Sequence, residues 1–373
     1  MTDAFQRATA WIDLGALTRN CARLRRELAP GTELCAVVKA NGYGHGMAES
    51  AGAALRGGAS MLAVATASEA FELRAAQPEA RILLMGALTD PELDVALGAD
   101  AELAVWDQGF LEAVAARAER LGRRPRLHVK HDSGMGRLGL REPAELERLL
   151  AAAAAEPRVE LAALWTHFAT ADERDSGFFD EQLELFTELG ESAKERHGVA
   201  LHAANSAATL REPAAHFDLV RCGVAIYGLD PFGSDPSYRG LEPVMGLSSY
   251  VARIGRFEPG QSAGYGRRWK ASSPTYVGTV PIGYGDGYRR GLGDAFDVLI
   301  AGSRYPVVGT VSMDNITLDL GPEPSVTLGE EAVLLGRSDE GRITAEEWAR
   351  RLGTINYEVT CGISSRVPRL QRR

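Results

Sequence analysis

Lysine is scarce in this chain, and that scarcity marks where chemistry is to be sought. Of the 41 lysines and arginines in 373 residues, only Lys39, Lys130, Lys194 and Lys270 are lysines. A sequence that avoids lysine yet keeps one points to a need for an amine rather than a fixed cation. Lys194 lies in Glu191-Ser192-Ala193-Lys194-Glu195-Arg196, a solvated helix face, and Lys270 lies in a polar loop. Lys39 and Lys130 instead end apolar or alternating runs. Desolvation and neighbouring cations depress the pKa of such a lysine, which suits it to Schiff-base chemistry with a carbonyl. The structural alternative is a lysine that snorkels out at the rim of a sheet. Lys39 leads into Ala40-Asn41-Gly42-Tyr43-Gly44-His45-Gly46, and Lys130 into His131-Asp132-Ser133-Gly134-Met135-Gly136-Arg137. Later apolar runs lead into His167, Asn205-Ser206 and Arg221-Cys222-Gly223-Val224.

These groups need elements to hold them. Strands are expected at Leu34–Lys39, Met61–Ala65, Arg81–Met85, Ala101–Trp106, Arg126–Lys130, Leu161–Thr166, Leu201–Ala204 and Leu219–Arg221. Helical patterns lie between them, clearest at Leu111–Leu121 and Glu142–Ala155. Eight strands alternating with helices read as an α/β fold, a (β/α)8 TIM-type barrel, with an open doubly wound sheet as the runner-up. After Met245 the texture turns β-branched and Gly-bounded, at Thr275–Val280, Phe296–Ile300, Pro306–Val311, Ile316–Leu320 and Glu331–Leu335. That predicts a C-terminal mostly-β domain. The boundary is placed near Pro243–Ser248, giving domains 1–245 and 246–373, with residues 1–10 available to pair with the second. In such barrels the working groups sit at the C-terminal ends of the strands, and phosphate sites commonly use the last two loops. Ser206 offers a hydroxyl there, and Gly223 and Val224 offer backbone N–H groups. Ser206 serves equally well as a helix N-cap.

Bulk properties narrow the function. The formal net charge of −9 argues against nucleic-acid binding, and no basic run reverses it. The first twenty residues include Asp3 and Asp13 and lack the apolar core of an export signal, so a cytoplasmic location is expected. No stretch approaches the roughly 20 apolar residues that span a bilayer. Cys21, Cys35, Cys222 and Cys361 are scattered without metal-ligand spacing and are read as free thiols, with no metal site expected.

The run Ala36-Val37-Val38-Lys39-Ala40-Asn41-Gly42-Tyr43-Gly44-His45-Gly46 resembles the pyridoxal-phosphate attachment motif of the alanine racemases. The resemblance covers nearly the whole chain. It continues through Asp132–Gly139, Asn205–Ala208 and Arg221–Gly228, then Gly264-Tyr265-Gly266, Gly283–Tyr288, Ser312-Met313-Asp314, Asn356–Val359 and Cys361–Arg369. It implies a barrel followed by a β domain, pyridoxal 5′-phosphate as cofactor, and a homodimer with shared active sites. Lys39 would carry the cofactor and act on one face of the substrate α-carbon. Tyr265, otherwise a turn aromatic, would act on the other face from the second subunit. Arg221 would face the pyridine nitrogen, and His167, otherwise a satisfied core histidine, would link this region to Tyr265. Arg137 and the Met313 N–H would bind the substrate carboxylate. Tyr43, Ser206, Gly223, Val224 and Tyr357 would hold the phosphate, and Lys130 would be carbamylated to orient Arg137. Ser133 and Ser312 replace a threonine and a cysteine common in the family, and neither change removes a catalytic group. The implied activity is interconversion of L- and D-alanine, supplying D-alanine for peptidoglycan.

Rival readings are a broader alanine/serine racemase and a decarboxylase of the same fold, which needs an acidic group for a distal amine and no tyrosine base. A single-barrel pyridoxal-phosphate carrier has no place for Tyr265 and Met313. A DNA-binding role for Thr344–Gly353 rests on one amphipathic helix, more simply a packing helix.

Overall fold

The apolar runs of the first two-thirds of the chain are short because each is buried on both sides. After a first strand, β1 (Thr9–Ile12), they form β2 (Glu33–Val37), β3 (Met61–Val64), β4 (Arg81–Leu84), β5 (Glu102–Val105), β6 (Arg126–Lys130), β7 (Glu160–Trp165), β8 (Ala200–His202) and β9 (Leu219–Cys222). All four residues of β3 and of β5 are buried, as expected of parallel strands covered on both faces. The computed structural model describes residues 6–173, 175–294 and 296–371. They form two units, one from Leu17 to Ile226 and the other joining the segment that ends at Ala16 to the chain from Tyr227 onward.

In the first unit β2 to β9 form one parallel sheet in the order β8-β7-β6-β5-β4-β3-β2-β9. At the seam, the Asp218 N–H donates to Leu201 O (3.0 Å) and the Arg221 N–H to Ala204 O (2.9 Å), drawing β9 against the β8 segment. A doubly wound sheet reverses its strand order partway across. This one does not, so the barrel reading holds. The helices between strands start where sequence chemistry places them. Thr66 and Glu69 make a reciprocal capping box ahead of Ala67–Ala76, and Asp107 caps Gln108–Leu121, which stops at left-handed Gly122.

The second unit contains β10 (Met245–Tyr250), β11 (Arg253–Phe257), β12 (Ser262–Ala263), β13 (Trp269–Lys270), β14 (Thr275–Val280), β15 (Asp297–Ile300), β16 (Ser303–Pro306), β17 (Ile316–Gly321), β18 (Glu331–Ser338), β19 (Gly341–Ile343) and β20 (Arg369–Gln371). Its main sheet runs β16-β15-β18-β10-β1-β20, with β19 paired to β18. Strand β1 lies inside that sheet, antiparallel to β10 and parallel to β20. Strands β11, β14 and β17 form a second sheet, and β12 and β13 a hairpin. The amphipathic run at 344–353 is the helix Ala345–Leu352, capped by Thr344. It buries Trp348, whose ring meets Tyr288 edge-on at 5.1 Å.

Several expected strands are shorter than read, and in two the difference bears on the site or on the second sheet. The first barrel strand stops at Val37, two residues before Lys39. The run expected at Pro306–Val311 ends as strand at Pro306. Beyond it Gly309 takes φ +73°, where a Cβ would fall 2.6 Å from Ala263 O, and one bridge remains from Val307 to Leu318.

Candidate active site

Lys39 sits on a left-handed turn. Ala40, Asn41 and Gly42 have φ/ψ of 53/49°, 52/48° and 63/45°, and Tyr43 follows at φ 52°. L-residues avoid such a run because each non-glycine member costs about 1–2 kcal/mol, and strain of this kind concentrates at functional sites. The turn is held from outside. The Ala40 N–H donates to Glu69 Oε1 at 2.6 Å, and the Met47 N–H donates to Asn41 Oδ1 at 3.0 Å. Glu69 thereby links its own helix cap to the residue after Lys39.

Lys130, at the end of β6, is buried. Burial first, then Arg221 and Arg137, push its pKa down to about 7. Its Nζ lies 3.6 Å from the centroid of the Trp165 ring. Arg137 is exposed on the loop after β6. That loop is tied down by the Asp132 carboxylate, which accepts from the N–H groups of Gly134 (3.2 Å) and Gly136 (3.0 Å) and from Arg141 Nε (3.0 Å). His167, after β7, accepts at Nδ1 from Arg221 Nη2 at 3.2 Å. Burial, with Arg221 and Lys130 beside it, holds His167 well below the usual imidazole range, so the ring is neutral with its proton on Nε2. Burial pulls Arg221 down to about 10, which leaves it a cation at neutral pH.

A cradle of hydroxyl and amide groups lies beside these cations. Ser206 Oγ accepts from the N–H groups of Gly223 (3.0 Å) and Ala225 (3.3 Å). A Cβ on Gly223 would fall 2.3 Å from Tyr43 Oη, so this close approach requires glycine. Val224 opens the short 3-10 turn that follows. The N-cap role proposed for Ser206 falls instead to Asn205, whose side chain accepts from the Ala208 N–H. That leaves the serine hydroxyl turned to the loop after β9. Lys39, Tyr43, Lys130, Arg137, His167, Ser206, Arg221, Gly223 and Val224 thus all follow, or end, barrel strands on the same rim.

Tyr265, Met313 and Tyr357 belong to the second unit. Tyr265 is 72% exposed on a turn between β12 and β13, anchored by Thr310 Oγ1 donating to its carbonyl. Gly264, before it, has φ +75°, and a Cβ there would meet Thr310 N at 2.8 Å. Met313, 51% exposed, lies in a turn whose Ser312 and Met313 carbonyls accept from the Tyr284 and Gly285 N–H groups. Arg7 and Arg366 brace it, both pairing with Asp286 and with Asp314. Tyr357 is half-buried at the start of helix Asn356–Cys361.

Sequence reading passed over the barrel interior. Glu102, His128 and His202 are all buried, and hydrogen bonds link them to Arg221. A signal was present in Arg126-Leu127-His128-Val129-Lys130, where polar residues alternate and so share one face of a strand. No helix among the described residues is long and apolar enough to cross a membrane.

Comparison with known proteins gives one consistent result. Residues 12–231 match the alanine racemase N-terminal domain, and residues 244–371 the alanine racemase C-terminal domain. The chain is 42% identical over 378 residues to an alanine racemase of Geobacillus kaustophilus, covering 99% of this chain and 95% of that one. It is 40% identical to alanine racemase 1 of Bacillus subtilis, covering 99% and 94%. Among solved structures, an alanine racemase from Streptomyces coelicolor A3(2) superposes with a TM-score of 0.93 at 40% identity, covering 100% of this chain and 99% of that one. Another, from Bacillus anthracis with bound L-Ala-P, gives 0.89 at 37% identity, covering 99% and 96%.

Proposed function

The chain belongs to the alanine racemase family, and from that premise we propose that it interconverts L- and D-alanine with pyridoxal 5′-phosphate, as a homodimer whose two active sites are shared. The observation that carries this reading is the convergence on one barrel rim of an amine, a buried arginine and a cradle of hydroxyl and amide groups. The donor set fits the cofactor. Ser206, Tyr43 and the N–H groups of the 223–225 segment suit a phosphate, Lys39 offers an amine to an aldehyde, and Arg221 offers a guanidinium. Tyr357 joins the phosphate set in this reading.

When bound, pyridoxal phosphate supplies a sink for the electron pair left as the Cα–H bond breaks. The protein does the rest. Lys39 moves the α-proton on one face of the substrate, and the partner subunit's Tyr265 moves it on the other. The exposure of Tyr265 on its own chain accords with a side chain donated across a dimer. Arg221 would face the ring nitrogen and, keeping its own proton, would leave that nitrogen unprotonated and the sink weaker. That favours return of the proton to Cα over other positions. Neutral His167 bonds Arg221 and extends this region toward Tyr265. Arg137 and the Met313 N–H bind the substrate carboxylate. The enzyme would work in the cytoplasm and supply D-alanine for peptidoglycan.

The test is incubation with a panel of L-amino acids in deuterated water, followed by chiral analysis. Alanine should exchange its α-hydrogen fastest and reach equal amounts of the two enantiomers. Release of carbon dioxide with an amine product, or exchange without inversion, would sink the proposal.

Lys130 enters as a carbamate. Its amine is half neutral near pH 7; the neutral form attacks carbon dioxide, the new N–C bond forms and a proton leaves. The resulting negative charge replaces a cation beside Arg137 and Arg221. Because the neutral amine grows as pH rises through about 7, the carbamate should accumulate above that pH and be lost on acidification. Crystals grown at alkaline pH with bicarbonate should show density for a carboxylate on Nζ, and a bare amine there would refute it.

A further inference from the structure

Arg221 is 3% exposed, yet among the described residues its guanidinium bonds carbonyls and imidazoles and no carboxylate. Nη2 donates to the carbonyls of Thr166 (2.8 Å) and Ala203 (3.0 Å) and to His167 Nδ1 (3.2 Å), and Nη1 donates to His202 Nδ1 (2.8 Å). The neighbouring thiols of Cys35 and Cys222 are pushed up by burial and stay neutral. A buried cation without a counter-charge is costly. Among the described side chains, one counter-charge lies two imidazoles away. His202 Nε2 lies 2.8 Å from His128 Nδ1, and His128 Nε2 lies 2.8 Å from Glu102 Oε2. Glu102 is on β5, His128 on β6, His202 on β8 and Arg221 on β9.

The ends of this chain fix its direction. A guanidinium only donates and an ionised carboxylate only accepts. His202 must therefore accept at Nδ1 and donate from Nε2, and His128 must do the same. Burial holds both rings below the usual imidazole range, hence neutral. Despite its burial, Glu102 is held at about 2 by His128 and Arg81. Trp165 keeps the rings in place, stacking on His202 at 5.5 Å between centroids and 10° between planes and donating from Nε1 to His128 O at 3.2 Å.

We propose that Glu102 is a positioning residue for racemisation: acting through His128 and His202, it holds Arg221 charged and aimed at the ring nitrogen. This rests on the assignment of Arg221 given above. In Glu102→Gln the charge is gone and an amide N–H can donate to His128. The relay can then reverse, and a His202 Nδ1–H would confront the guanidinium donor to donor.

Neutron diffraction from deuterated holoenzyme should place deuterium on Nε2 of His128 and His202 and on neither Nδ1. E102Q should lower kcat about tenfold or more with KM held within about twofold, since Glu102 does not touch substrate. A larger share of its turnovers should end in the oxo acid, and Glu102→Asp should restore part of the loss. Arg81→Gln removes the 2.8 Å ion pair to Glu102 but leaves the relay, so it should lower the melting temperature while keeping kcat. Deuterium on either Nδ1, an unchanged kcat in E102Q, or equal losses in E102Q and R81Q would overturn the proposal. Should E102Q not fold, the wild-type neutron map decides alone. A wild-type protein that fails to racemise alanine refutes the functional reading itself. One that racemises it but gives any of the overturning results refutes only the relay.

Discussion

Lys39→Ala should lower alanine racemisation about 10^4-fold and remove the visible absorbance of a lysine-bound pyridoxal group. On the proposed mechanism two functions are lost together, covalent attachment and proton transfer on one face, so the fall should exceed that for removal of a single acid or base. The fold should survive. The left-handed turn is held by backbone donors at Ala40 and Met47 that do not use the Lys39 side chain, so the melting temperature should stay close to that of the parent. Lys130 cannot take over, because its Nζ is held over the Trp165 ring. Lys39→Arg separates charge from nucleophilicity: it keeps a cation yet should show the same loss of absorbance. Retained absorbance and turnover in Lys39→Ala would remove Lys39 from the mechanism.

Tyr265→Phe deletes one oxygen from an exposed side chain and should lower racemisation about 10^3-fold. The equilibrium constant between enantiomers is one, so kcat/KM must fall equally in both directions. The asymmetry appears in the partial reaction. In deuterated water the variant should still exchange the α-hydrogen of one enantiomer through Lys39, with retention, while exchange from the other is lost. Equal residual exchange from both enantiomers would reject the scheme of two proton-handling groups. Mixing supplies a second measurement. If sites are shared, a mixed dimer of Lys39→Ala and Tyr265→Phe protomers contains one intact site. Random subunit exchange should then restore about a quarter of parental activity. No recovery after proven exchange would place both groups on one chain.

Much of this was legible in the sequence where burial and element type coincide. Met61–Val64 is an unbroken apolar run because both its faces are covered, and the helix read over Leu111–Leu121 from its period and propensity is there, starting three residues earlier, after its Asp107 cap. Less legible were points settled by tertiary geometry. Val38-Lys39 reads as more strand, since nothing local in Ala40-Asn41 demands a left-handed backbone; Glu69 and Met47 hold it from outside the run. Asn205 and Ser206 are both cap formers, and only the position of the loop after β9 gives the cap to one and frees the other's hydroxyl. The Glu102–His128–His202–Arg221 line joins four strands. Strands β5, β8 and β9 each show one polar residue among apolar neighbours and β6 alternates three with two apolar ones, and the link becomes visible only when the sheet curls and brings the four together.

Strand β1 has a consequence for how the protein is made. It is synthesised before its neighbours β10 and β20, which follow only after residues 245 and 369 are made. At roughly 5–20 residues per second, the wait lasts tens of seconds. Through that interval Ala8, Ala10 and Ile12, buried in the finished sheet, have no partner strand. A fragment made from the second domain alone would leave the slot between β10 and β20 open, an invitation to borrow the missing strand from another molecule.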